Sequence, residues 1–230
     1  MRGPWLAVVV IGAVVLAACS NGQRASGDKP ETSSRPVPST SVTTPATATG
    51  EQPEVIGYMG CSNTQQAIAG YADLGGTRFW PLDPDYGGTI GQYGDDKRHE
   101  FTFDRFDAMN HAQPVTAIWW QLCLNDDSRR TDDELLQAAT VVIELVRERV
   151  GDAQIYVSPL AQYEPPAECK QVGEDGPQRL EAIADRLVAA GLAELGPALP
   201  PLTIDLLSDR CHLNDAGEKR HGHVLLDFFG

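Results

Sequence analysis

Residues 115–123, VTAIWWQLC, are rich in β-branched and aromatic side chains, nearly continuous in their apolarity, and include no charged residue. A strand of that composition has two apolar faces, so it belongs inside a sheet that is covered on both sides. The flanking segments supply the cover. Before it, EFTFDRFDAMNHAQP places Phe101, Phe103, Phe106 and Met109 at helical spacing and stops near Pro114. After it, Thr131 and Glu134 have capping-box spacing, and Leu135, Leu136, Ala139, Val142, Ile143, Val146 and Val150 make a long apolar stripe.

The same alternation continues in both directions. EVIGYM reads as a short buried strand over 55–59, and NTQQAIAGYADL as a helix with Ala67, Ile68 and Tyr71 inward. QIYVSPL, residues 154–160, reads as a strand. A helix over 177–190 carries Leu180, Ile183, Leu187 and Val188, and the terminal NDAGEKRHGHVLLDFF is a helical segment weakened by Gly217 and Gly222. Repeated strand and helix imply an α/β domain over 54–230, with a parallel sheet between two helical layers. Ligands of such sheets sit beyond the carboxyl ends of the strands. Ser62 follows the first strand at that end, and Asn125 follows the central one.

The first 53 residues have a different character. Arg2 precedes the apolar run Trp5 to Ala18, and Leu16-Ala17-Ala18-Cys19 closes that run with small residues before a cysteine. It is shorter than the roughly 20 residues a membrane-spanning helix needs, and reads as a signal peptide over 1–18. This end resembles that of bacterial lipoproteins, which implies cleavage before Cys19 and its lipidation. Residues 19–53 then form a tether: from Ser20 to Pro53, 12 of 34 residues are Ser or Thr and 5 are Pro, too little apolar surface to offset the entropy of ordering them. The expected location is outside the cytoplasm, on a bacterial cell membrane held by lipid alone. A formal net charge of −14 opposes binding to nucleic acid or anionic headgroups.

Four further cysteines, Cys61, Cys123, Cys169 and Cys211, are an even set in an exported chain and suggest two disulfides, with three possible pairings. A thiolate metal site is the competing reading, but no close Cys pair of the kind structural zinc favours is present. His221 and His223, with His212, do not share a helical face and read as solvated surface residues. Phe79 and Trp80, in the loop sequence GGTRFWPLDPDYGG, are placed to line a groove or to pack the loop. Of Trp119 and Trp120, at least one must be core. Asp95, Asp96, Asp126 and Asp127 read as solvated turn residues.

Two short stretches carry chemistry. In GCSNT, residues 60–64, Ser62 either caps the following helix or attacks a substrate. In LSDRCHLNDAG, Asp209 and His212 are three apart, a spacing that lets a carboxylate orient one imidazole nitrogen while the other faces a cleft, as serine activation requires; the alternative is a turn Asp and a capping His.

With these blocks in order, the domain resembles the SGNH, or GDSL-like, hydrolases over about 55–230. Gly60-Cys61-Ser62-Asn63-Thr64 resembles that family's first block, Gly87-Gly88-Thr89 its second, Cys123-Leu124-Asn125-Asp126 its third, and Asp209-Arg210-Cys211-His212 its last. The resemblance implies a three-layer α/β/α sandwich with a mostly parallel, flavodoxin-like sheet. It implies Ser62, Asp209 and His212 as a catalytic triad, and Ser62, Gly87 and Asn125 as the oxyanion hole. It implies a metal-independent serine esterase without cofactors, acting as a monomer on an ester-bearing small molecule, glycan or lipid. Cys61 stands where the family usually has Asp, and Cys123 where it usually has Gly. If the family's sheet order holds, Cys61 and Cys123 end adjacent strands and can bridge, leaving Cys169 to Cys211; pairing 61 with 211 and 123 with 169 remains the alternative. Two other functions stay open: a catalytically silent module that binds an envelope glycan or acyl chain, and a structural lipoprotein.

Overall fold

The computed structural model describes residues 54–94, 99–125 and 129–230. The signal, Cys19 and tether readings, the four turn aspartates and the side chain of Phe101 therefore lie outside the described residues. Four strands, β1 (Ile56–Met59), β2 (Ala117–Leu122), β3 (Gln154–Pro159) and β4 (Glu194–Leu195), form one sheet in the order β1-β2-β3-β4. All neighbours are parallel, with Met59 opposite Trp120 and Gln121 opposite Ser158. Beyond β1 the sheet continues by a single rung, a parallel bridge between Ile56 and Phe79. The Gly- and Pro-rich sequence around Phe79 limits pairing there to that one residue.

The helices are α1 (Ser62–Asp73), α2 (Ile90–Gly94), α3 (His99–Ala112), α4 (Asp132–Val150), α5 (Gly176–Ala189) and α6 (Asp215–Phe229), with a 3-10 turn at Ile204–Leu206. Steps from β1 through β4 run one way across the sheet, and right-handed crossovers put α3, α4 and α5 on one face; α4 packs on α2 and α5. The step from β1 to the Phe79 rung runs the other way, and its helix, α1, packs on α6. Parallel strands covered by two helical layers make the three-layer α/β/α sandwich expected from the sequence. The short α2, β4 and the 3-10 turn have no clear periodic signature and were not among the expected elements.

Both tryptophans of β2 are core, because adjacent residues of a strand face opposite layers. Trp119 meets Phe79, which packs on Tyr71 and Phe229 of the α1 and α6 layer, whereas Trp120 meets Tyr93 of α2. Phe79 and Trp80 are themselves buried: Trp80 stacks edge-on against Phe106 and donates its indole N–H to the Gln113 carbonyl. They close the core and are absent from the cleft described below. His221 is also a correction. It is 1% exposed, with Nε2 3.2 Å from the Pro200 carbonyl, because α6 turns that position toward the 197–202 segment; His223 is exposed.

The capping box before α4 forms as the spacing predicts: Thr131 Oγ1 accepts from the Glu134 N–H, and Glu134 accepts from the Thr131 N–H at 2.7 Å. Gly222 has a structural use the helix pattern did not disclose. It faces Gly70 where α6 crosses α1, and a Cβ on either would occupy backbone atoms of the other helix.

Candidate active site

At the carboxyl end of β1 the chain turns through Gly60 and Cys61 into α1. The cap position is Cys61, whose carbonyl accepts from the Thr64 and Gln65 N–H groups at 3.0 and 3.3 Å. Ser62, the first helical residue, is exposed, and its hydroxyl is not engaged as a cap. Its side chain opens onto a cleft of ≈ 320 Å³ that is also lined by Gly87, Asn125, Tyr163 and His212. The cleft lies beyond the carboxyl ends of β1, β2 and β3, where the alternating pattern places a ligand site.

Asp209 and His212 are joined on this rim. His212 Nδ1 lies 2.7 Å from Asp209 Oδ2, while Asp209 Oδ1 accepts from the Cys211 and His212 N–H groups at 2.6 and 2.7 Å. An ionised carboxylate only accepts, so Nδ1 donates across this contact, and the tautomer this selects leaves the lone pair on Nε2. The His212 side-chain bond, followed by the two backbone N–H groups, pulls the Asp209 carboxyl down to about 2. Asp209 thus serves both as the turn former and as the partner of the imidazole. Among the described residues, no hydrogen bond joins the Ser62 hydroxyl to His212.

Gly87 comes from the loop opposite α1. Its φ of 148° and a Gly60 carbonyl only 2.9 Å from where a Cβ would lie both require glycine. The next N–H, of Gly88, is used: it donates to Gly60 O at 2.6 Å. Among the described residues the N–H groups of Ser62 and Gly87 have no hydrogen-bond partner, and Asn125 is an exposed side chain on the same cleft. All three residues line the cleft.

Two disulfides frame the site. Cys61 is bonded to Cys123 and Cys169 to Cys211. The first ties the ends of the neighbouring strands β1 and β2, directly beside Ser62 and Asn125. The second joins the loop after β3 to the loop of Asp209 and His212.

Several residues that hold this arrangement escaped the sequence reading. Gln65 Nε2 donates to the Asp83 carbonyl at 3.1 Å and to the Tyr86 carbonyl, securing the loop that ends in Gly87. Asp83 of that loop pairs with Arg105 at 2.7 Å, and its N–H donates to the Tyr58 hydroxyl at 3.0 Å. Thr64 donates to Gln121 Oε1 at 2.7 Å in the interior. That contact had a signal, since a glutamine within an otherwise apolar strand requires a partner. Tyr163 donates to the Cys211 carbonyl at 3.0 Å, and burial, reinforced by the Asp209 charge against an Asn63 hydrogen bond, pushes its phenol up to about 12. It therefore remains a neutral donor. Among the described residues no group of three or more His, Cys, Asp or Glu is gathered as metal ligands are.

Neither a scan against family profiles nor a search of curated proteins finds a match to the chain. Solved structures do resemble it. A protein from Streptococcus pneumonia, provisionally described as a platelet activating factor, is 14% identical with a TM-score of 0.54, over 79% of this chain and 86% of that one. A GDSL-like lipase from Bacteroides thetaiotaomicron VPI-5482 is 13% identical with a TM-score of 0.50, over 76% of this chain and 86% of that one. At these identities the likeness is one of fold: the chain has the architecture of GDSL-like, SGNH-type hydrolases.

Proposed function

We propose that the chain is a serine esterase that cleaves carboxylic esters through an acyl-serine intermediate. The observation that carries this reading is the convergence on one cleft of an uncommitted serine hydroxyl, an imidazole oriented by a carboxylate, and three hydrogen-bond donors from separate segments. His212 Nε2 takes the proton as Ser62 Oγ attacks the ester carbonyl, and Asp209 fixes the tautomer and stabilises the imidazolium. The negative oxygen of the tetrahedral intermediate is met by the Ser62 and Gly87 N–H groups and the Asn125 amide. His212 then protonates the departing alkoxide. Water, deprotonated by the same imidazole, attacks the acyl-serine; the second tetrahedral intermediate breaks its bond to Ser62 Oγ, which regains the proton from His212, and the acid is released. Every proton transfer and every developing charge is assigned to a protein group, so the mechanism calls for no metal or cofactor, and EDTA is expected to leave turnover unchanged.

The proposed substrates are O-acyl groups of carbohydrates or lipids. The cleft's borders divide almost evenly between polar surface, including the side-chain amides of Gln65, Gln92 and Asn125, and apolar surface, including Leu124, Leu160 and Val172, a mixture suited to an acyl group attached to a hydroxyl-rich or amphiphilic alcohol. Two disulfides accord with an oxidising compartment, and among the described residues no helix is long and apolar enough to cross a membrane. Anchoring through a lipid on Cys19 belongs to the same proposal; a mature N-terminus that begins downstream of Cys19 without lipid mass would refute it.

The deciding experiment is labelling with an organophosphonate serine probe, followed by peptide identification. Attachment at Ser62, lost in Ser62→Ala and in His212→Ala together with hydrolysis of a short-chain aryl ester, is the expected result. The missing hydrogen bond between Ser62 and His212 favours one second reading, a silent module that binds an acyl or glycan ligand in this cleft. A folded wild type inert to both the probe and an ester panel would select it.

A further inference from the structure

We infer that Asn63 and Gln66 are positioning residues that set His212 against Ser62. This inference rests on the esterase reading of the same cleft.

The loop that carries His212 is held on both sides of that residue by side chains of α1, the helix that begins with Ser62. On one side, the Cys211 carbonyl accepts from Asn63 Nδ2 at 3.2 Å and from the Tyr163 hydroxyl at 3.0 Å, while Asn63 Nδ2 also reaches that hydroxyl at 3.1 Å. On the other side, Gln66 binds both polar groups of the Leu213 main chain: Oε1 accepts from the N–H at 3.0 Å and Nε2 donates to the carbonyl at 2.9 Å. Residues three apart lie on one helix face, so a single turn of α1 grips residues 211 and 213 together. Asn63 is only 4% exposed, and loss of its partners would leave a buried amide unpaired.

The consequence is mechanical. Ser62 and His212 are 150 positions apart in sequence, yet both are fixed to the same helical turn and move as one body. A misplacement of about 1 Å between reacting groups can cost about a hundredfold in rate, so the grip on the loop governs turnover and not only folding. Gln66 is absent from the cleft lining. It therefore acts through the position of the loop, without touching substrate.

The test compares Gln66→Met, a near-isostere that removes both bonds, with Gln66→Glu, which keeps the acceptor for the Leu213 N–H. Turnover is expressed per Ser62 titrated with the phosphonate. Gln66→Met is expected to lower kcat about tenfold with KM changed less than twofold, and to slow phosphonylation in proportion; Gln66→Glu, which keeps one bond but turns a carboxylate toward the Leu213 carbonyl and Glu218, is lowered as well. Wild-type kcat per titrated site in both variants, whatever their melting temperatures, would overturn the inference. If Gln66→Met does not fold, Gln66→Glu, which loses the bond to the Leu213 carbonyl, carries the same comparison; Asn63 borders the cleft and is left intact.

A second readout is independent of turnover. The 15N resonances of the His212 ring report its hydrogen bond to Asp209. Broadening or splitting in Gln66→Met supports positioning, and an unchanged spectrum opposes it. A wild type that neither turns over ester nor takes the probe, while Gln66→Met still perturbs the His212 ring, would reject the esterase reading and retain the positioning role.

Discussion

Two residues at the site's edge and in its support illustrate how side-chain environment sets behaviour. Asn125 sits on the cleft rim after β2, and in the proposed mechanism its amide meets the negative charge as it develops. Asn125→Ala is therefore expected to lower kcat far more than it raises KM, by on the order of 3 kcal/mol in transition-state stabilisation, with residual activity supplied by the two backbone donors. Steady-state kinetics on an aryl ester measure this, and a change confined to KM would contradict it. His221 reports on stability instead. Burial, opposed by its bond to the Pro200 carbonyl and aided by the Arg220 charge, lowers its pKa to about 4 from 6.5. Between those values the unfolded chain binds a proton that the folded chain refuses, so stability falls as pH drops from about 6.5 to about 4. The full difference is roughly 3 kcal/mol. Urea titrations at several pH values are expected to show this slope in the wild type and to lose it in His221→Gln; parallel profiles would rule it out.

At the level of elements, α1 and α6 are pressed together by glycine. In an exposed helix, replacing Gly with Ala is stabilising by about 1 kcal/mol. At Gly222 the sign reverses, because the added methyl would coincide with backbone atoms of Gly70 and Tyr71, which cannot rotate away. Gly222→Ala is expected to destabilise the domain by about 1–3 kcal/mol, as overpacking does, and to lower the melting temperature accordingly. A stabilised variant would mean that the two helices do not cross at this pair. Asn214 caps α6 and also donates to the Asp205 and Leu207 carbonyls at 2.8 and 3.3 Å, so the loop of His212 is fixed at its exit by the helix it leads into.

For the whole molecule, the two disulfides distribute constraint around one rim. Cys61–Cys123 closes a sequence separation of 62 and Cys169–Cys211 one of 42. Peptide mapping without reduction is expected to return those two pairs; a peptide joining Cys61 to Cys211 would refute the arrangement. Replacing Cys169 and Cys211 together by Ala is expected to cost about 2–4 kcal/mol in unfolding free energy. It should also lower turnover, because the His212 loop then keeps only its hydrogen bonds, among them those from α1, Tyr163 and Asn214.

The amino-acid sequence by itself determined the alternation of elements, and with it the layered parallel sheet, because the period of apolar residues decides which face of each strand or helix leaves water. VTAIWWQLC could only be interior, and Thr131 with Glu134 could only open a helix. It also put Ser62, Asn125, Asp209 and His212 into consideration, since motif spacing is a local property of the chain, whereas Gly87 entered through the resemblance to the SGNH hydrolases. The tertiary structure decided that Cys61 and not Ser62 occupies the cap, that Phe79 and Trp80 fill the core, and that His221 is buried. The partnership of Asn63 and Gln66 with residues 211 and 213 was equally hidden. An amide on a helix surface has no periodic signature, and its partner is fixed only when α1 and the loop before α6 meet in space. Local preference follows from neighbours in sequence, whereas burial and hydrogen-bond satisfaction depend on surfaces that the fold alone brings together.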